Sequence, residues 1–292
     1  MDKNLPIFEV IDELADKLVR TKRVVLTAPP GAGKSTAIPI SLIKNPAFSE
    51  GKIIVLEPRR LAVKQVSLRM AQTLGEELGK TVGYRIRGEA KCSEKTKVEV
   101  VTEGILIRML QEDQQLTGVS TVIFDEFHER SLNADLGLAF CLETASVLRN
   151  DLKILVMSAT LEITAVSKLM QSAPIVSCEG KSFPVTPIWQ TKPVVQDQII
   201  DKLIIDVILK AISNNNGSIL VFLPGEREII KLASSLINKV PDKCHVFPLY
   251  GQLNFKDQQK AIKPILDGRK IVLATNVAET SLTIEGIETV ID

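Results

Sequence analysis

Two short runs in this 292-residue chain combine residue types suited to phosphate and a divalent cation. The first, Ala28-Pro29-Pro30-Gly31-Ala32-Gly33-Lys34-Ser35-Thr36, follows an apolar run at 24–27 and precedes a plausible helix. Small residues let backbone N–H groups wrap phosphate oxygens, Lys34 brings a point charge to β/γ oxygens, and Ser35 offers a hydroxyl to Mg²⁺. Ala28 stands where the strict pattern has glycine, a small side chain the loop tolerates. An ordinary glycine-rich turn rarely supplies Gly-Lys-Ser-Thr in register, so this run predicts binding of a nucleoside triphosphate such as ATP.

The second run, Asp125-Glu126-Phe127-His128, follows an apolar stretch at 121–124, so its acids emerge at the carboxyl end of a strand. Two acids before a helix also serve as plain N-terminal caps. With the phosphate loop upstream, hydrolysis is the stronger reading: Asp125 holds Mg²⁺ through water and Glu126 polarises the attacking water as general base. His128, two residues past that base, is close enough to bridge the γ-phosphate region to whatever closes over it.

These residues need a scaffold, and the hydropathy pattern predicts one. Strand-length apolar runs at 24–27, 53–56, 98–101, 121–124, 154–157 and 175–177 alternate with longer amphipathic stretches, the βαβ rhythm of a parallel sheet. A stretch at 61–74 places Val63, Val66, Met70 and Leu74 on one helical face, read as core. Gly180, Pro184, Pro187 and Pro193 then interrupt the rhythm. It restarts with a helix carrying Ile200, Leu203, Ile204, Val207 and Ile208, followed by strand-like runs at 219–223, 246–249, 271–274 and 289–291. The expected organisation is a first α/β domain over 1–178, a linker over 179–195 and a second α/β domain over 196–292, the last incomplete because no helix follows the final strand.

Composition narrows the partners. A formal charge of +1 gives no global attraction to phosphate backbones, so any nucleic-acid surface must be local. The four cysteines form no CxxC pair and have only two histidines as companions, which argues against a zinc site or a disulfide framework. No secretory signal or long apolar span is present, and with free cysteines this points to the cytoplasm.

With these motifs assembled, the chain resembles superfamily-2 DExH/DEAH-box helicases. Asp125-Glu126-Phe127-His128 is similar to their second motif, and 125–131, Asp-Glu-Phe-His-Glu-Arg-Ser, resembles the bacterial HrpB branch. Glu57-Pro58-Arg59-Arg60-Leu61-Ala62 resembles motif Ia, Thr102-Glu103-Gly104 motif Ib, Ser158-Ala159-Thr160 motif III, 220–225 motif IV and 274–284 motif V. The resemblance implies two RecA-like domains with mostly parallel sheets, ATP and Mg²⁺ in a cleft, and single-stranded nucleic acid, RNA over DNA, on the opposite face. It implies that Arg59, Arg60, Thr102, Glu103, Gly104, Thr275 and Asn276 meet the nucleic acid. Ser158 and Thr160 would couple nucleotide state to domain position, and Arg69 would stack on adenine. Surface ion pairing, helix capping and turn formation are the ordinary alternatives for these residues. Ile262 corresponds to the aromatic that closes the other side of the base in many eukaryotic relatives. The family continues into a Gln-Arg-x-Gly-Arg-x-Gly-Arg motif that does not occur before Asp292, so these residues alone are expected to hydrolyse ATP poorly. Two functions follow: an ATP-dependent RNA helicase or translocase, or an ATP-gated RNA-binding clamp that separates no strands.

Overall fold

In the computed structural model, residues 5–159, 163–180, 184–189, 197–279 and 284–292 are described, the side chains of 197–201 excepted. The chain divides into two compact units, Met1–Phe183 and Pro184–Asp292.

The first unit contains, in chain order, α1 (Ile11–Thr21), β1 (Arg23–Thr27), α2 (Lys34–Lys44), β2 (Lys52–Glu57), α3 (Arg60–Leu74), β3 (Val82–Ile86), β4 (Glu89–Lys91), β5 (Val98–Thr102), α4 (Glu103–Glu112), β6 (Val119–Phe124), α5 (Leu132–Val147), β7 (Lys153–Ser158), α6 (Ile163–Leu169) and β8 (Ile175–Ser177). The strands lie in the order β4-β3-β5-β2-β6-β7-β1-β8, parallel except for the β3–β4 pair. Successive residues point to opposite faces, so Val24 and Leu26 join one apolar cluster with Leu14, Ile38 and Met70, while Val25 joins the other with Leu106 and Leu138. Helices α1–α3 thus cover one face and α4 and α5 the other. A sheet buried on both sides needs strands that are apolar throughout, which is why these runs stand out in the sequence.

The second unit contains α7 (Asp197–Asn214), β9 (Ser218–Phe222), α8 (Glu226–Leu236), β10 (Cys244–Leu249), α9 (Phe255–Ile262), β11 (Arg269–Ala274) and β12 (Ile287–Ile291), with parallel order β10-β11-β9-β12. Ile208, Val221, Leu232, Ile271 and Leu273 form its own core.

The β3–β4 hairpin escaped the hydropathy pattern. Strand β4 reads Glu-Ala-Lys and is exposed throughout, because an edge strand has no second neighbour to bury it. Its partner β3 carries Gly83 and Arg85, which break the apolar run.

Candidate nucleotide site

Every parallel strand of the first sheet ends at the same edge, and strand order decides which ends meet. Register pairs Thr27 with Ser158, Leu56 with Phe124 and Glu57 with Thr102. Strand β7 lies between β1 and β6, so the Ser158 end is next to both the phosphate loop and the paired acids. The Ala28 N–H donates to Ser158 O at 3.1 Å, and the Ala159 N–H donates to His128 Nδ1 at 3.3 Å. One strand end therefore joins both halves of the site.

The loop itself needs left-handed backbone at Gly31 (φ 79°) and at Gly33 (φ 91°), the residue that opens α2. A β-carbon at Gly33 would also lie 2.8 Å from Leu5 Cδ1. The 3₁₀ turn Pro6–Glu9 braces the loop further, the Ile7 N–H donating to Ala32 O at 3.3 Å.

Lys34 and Glu126 meet inside this edge. Both are almost wholly buried, 4% and 9% exposed, and Lys34 Nζ lies 2.9 Å from Glu126 Oε1. The second oxygen of Glu126 lies 3.4 Å from His128 Nε2. Because His128 Nδ1 accepts from Ala159, the proton of the neutral ring sits on Nε2, facing Glu126. Asp125 Oδ1 accepts from the Glu126 N–H at 2.8 Å, and Glu126 holds a left-handed backbone (φ 48°) that turns its side chain inward. Burial pulls the Lys34 pKa down, but the carboxylates of Asp125 and Glu126 more than offset it and leave it raised. Burial, then Asp125, raises Glu126 against the opposing pull of Lys34. A raised carboxylate is a stronger base, the direction the hydrolytic role needs.

Glu57 is a member of the site that sequence reasoning did not single out. It is 0% exposed, and no described N–H or O–H group donates to either of its oxygens or to Asp125 Oδ2. Burial first, and the Asp125 charge next, hold its pKa well above the ordinary carboxylate range. A neutral Glu57 sharing its proton with Asp125 pairs one Glu57 oxygen with the Asp125 carboxylate. The signal available in sequence was an acid closing an apolar strand, read there only as part of motif Ia.

The donor set fits Mg²⁺. Asp125 presents a buried carboxylate at this edge, 5% exposed, and Ser35 sits one residue into α2. Among the described residues, no group of three or more His, Cys, Asp or Glu side chains is arranged to hold a metal alone.

The other predicted residues are distributed as follows. Arg59 caps α3 and pairs with Glu129 at 3.2 Å, while the exposed Arg60 donates to Arg87 O at 3.3 Å. The ordinary reading of this pair, surface ion pairing, thus holds for Arg59 in part. Thr102 precedes α4, Glu103 accepts from Ser131 Oγ at 2.5 Å, and Gly104 is exposed. Arg69 is exposed on α3 and Ser158 is buried at the end of β7. Thr160 lies outside the described residues. In the second unit, Thr275 Oγ1 accepts from the Val277 N–H at 3.5 Å, a capping contact, and Asn276 is exposed. Ile262 is 9% exposed, and its carbonyl accepts from Lys270 Nζ at 3.1 Å.

Comparison with known proteins identifies relatives of this chain. Residues 9–169 match the DEAD/DEAH box helicase family and residues 198–292 the helicase conserved C-terminal domain. The chain is 47% identical over 290 residues to the ATP-dependent RNA helicase HrpB of Escherichia coli, covering 99% of this chain and 36% of that protein. It is 35% identical over 302 residues to the mouse ATP-dependent RNA helicase DHX33, covering 99% of this chain and 43% of that protein. The crystal structure of Escherichia coli DEAH/RHA helicase HrpB superposes with a TM-score of 0.91, over 98% of this chain and 36% of that one. The chain therefore spans little more than a third of the length of that HrpB relative.

Proposed function

This chain belongs to the DEAD/DEAH box helicase family and has its two tandem RecA-like domains, and from that premise we propose that it binds and hydrolyses Mg²⁺–ATP, coupling hydrolysis to movement on, or remodelling of, single-stranded RNA. The observation that carries this reading is the linked set Lys34–Glu126–His128–Ala159, which joins phosphate loop, acids and motif III at one sheet edge.

In this reading the backbone of residues 28–36 holds the triphosphate and Lys34 counters charge on its β/γ oxygens. Ser35 and, through water, Asp125 hold Mg²⁺, which when bound neutralises phosphate charge. Glu126 accepts a proton from the attacking water as its oxygen bonds to the γ-phosphorus and the bond to ADP breaks. His128, held by Ala159, orients Glu126 and reports on the phosphate. Arg69 faces the adenine. Arg59, Arg60, Thr102, Glu103 and Gly104 in a first domain over 1–178, and Thr275 and Asn276 in a second over 196–292, contact the RNA backbone. Ser158 and Thr160 carry nucleotide state toward domain position. Among the described residues, no helix is long and apolar enough to cross a membrane. We place the protein in the bacterial cytoplasm.

The test is ATP turnover with and without single-stranded RNA or DNA, beside Lys34→Ala and Glu126→Gln. Stimulation by RNA, lost in both variants, is expected; no stimulation by either nucleic acid sinks the reading. Stimulation without duplex separation would replace the helicase with an ATP-gated clamp.

A further inference from the structure

The segment 126–131 runs from the catalytic acid to the residues that contact motifs Ia and Ib, all inside the first unit. Its backbone is strained at both ends: Glu126 is left-handed (φ 48°, ψ 36°) and Arg130 lies at φ 44°, ψ 112°, outside the well-populated regions. Such conformations persist only where the surroundings over-determine them. Phe127 is buried edge-to-face on Phe124, with ring centroids 6.1 Å apart. Arg130 stacks 5.7 Å from the Phe127 ring and forks onto both oxygens of Asp135 at 3.1 and 2.8 Å.

Two side chains of this segment reach the surfaces assigned above to RNA. Glu129 Oε2 meets Arg59 Nη2 at 3.2 Å, both half-buried. Ser131 Oγ donates to Glu103 Oε2 at 2.5 Å while accepting from the Ala134 N–H at 2.9 Å. This segment borders two small cavities. One, of about 10 Å³, is lined by Pro58, Glu103, Asp125 and Arg130 among others; the other, of about 30 Å³, by His128, Arg130 and Ser158. A strained segment with adjoining free volume can shift where a filled core cannot.

We propose that Glu129 and Ser131 are positioning residues that relay nucleic-acid binding at Arg59 and Glu103 to Glu126 and His128. The proposal rests on the RNA reading above. A phosphate at Arg59 competes with Glu129 for the same guanidinium, and a phosphate at the start of α4 meets the carboxylate that Ser131 holds. Either event loosens one fixing point of the segment and resets the Glu126 carboxylate between Lys34 and His128.

Purely structural roles for the ion pair and the helix cap would lower stability and basal turnover together. The relay predicts a split, which turnover of wild type, Glu129→Gln, Ser131→Ala and Ser131→Thr resolves, each with and without a saturating unstructured oligouridylate. Basal turnover and melting temperature of Glu129→Gln should stay near wild type and its oligouridylate affinity should rise, because the competing carboxylate is gone, while stimulation by the oligouridylate is lost. Ser131→Ala should lose stimulation and Ser131→Thr, which keeps the hydroxyl, should restore it. A stimulated wild type with equally stimulated variants overturns the relay alone. Basal and stimulated rates falling in parallel also overturn it, in favour of a structural role. An unstimulated wild type overturns the RNA reading and the relay with it.

Discussion

The chemistry concentrates in four buried charged or ionisable side chains, Lys34, Glu57, Asp125 and Glu126, at one sheet edge. Three acids against one lysine leave excess negative charge, and the raised pKa of Glu57 relieves part of it by keeping one carboxyl neutral. Glu126→Gln keeps the shape of the site and removes the base, so turnover should fall by roughly 10²–10⁴-fold while nucleotide affinity, by fluorescence titration, changes little. For Glu57 the sign is fixed by a folded pKa above the unfolded one. Its stabilising contribution is complete below the unfolded value of about 4.3 and is lost as pH rises through the folded value. Glu57→Gln removes that loss. Its denaturation midpoint should gain on wild type as pH rises from about 4 toward neutrality, and parallel midpoint-versus-pH curves would contradict the shared-proton account.

Two backbone positions show how elements hold these side chains. Gly33 (φ 91°) opens α2 directly before Lys34, whereas Gly75 (φ 69°) closes α3 with open space around it. An alanine at either position is strained by about 1–3 kcal/mol. Gly33→Ala should therefore lose stability and ATP affinity together, while Gly75→Ala loses stability alone; titration of both variants with a fluorescent nucleotide checks the difference. The loop glycines and the acids were legible in the sequence because local spacing dictates them. Glu57 was not, since nothing local to β2 says that β6 pairs beside it and delivers Asp125 to its carboxyl. The β3–β4 hairpin was not legible either, because an exposed edge carries no apolar alternation.

At the scale of the molecule, the two units have separate apolar cores, and each has its own polar fastening. In the second unit, Lys270 is 1% exposed and donates to Ala261 O, Ile262 O and Lys263 O at 2.8, 3.1 and 2.9 Å. Lys270→Met orphans those carbonyls, a loss on the order of 3 kcal/mol. Hydrogen exchange should then quicken in β9–β12 and α9 and stay unchanged in β1–β8; a rise spread over both units would contradict separate cores. What the sequence by itself determined was the pair of parallel α/β units and the phosphate loop and acids, because a strand buried on both faces must be apolar and a loop wrapping phosphate must be small-residued. What only the tertiary structure decided was their convergence. Strand order sets β7 between β1 and β6, and this long-range pairing brings Ser158, Ala159 and His128 together and closes Glu57 over Asp125.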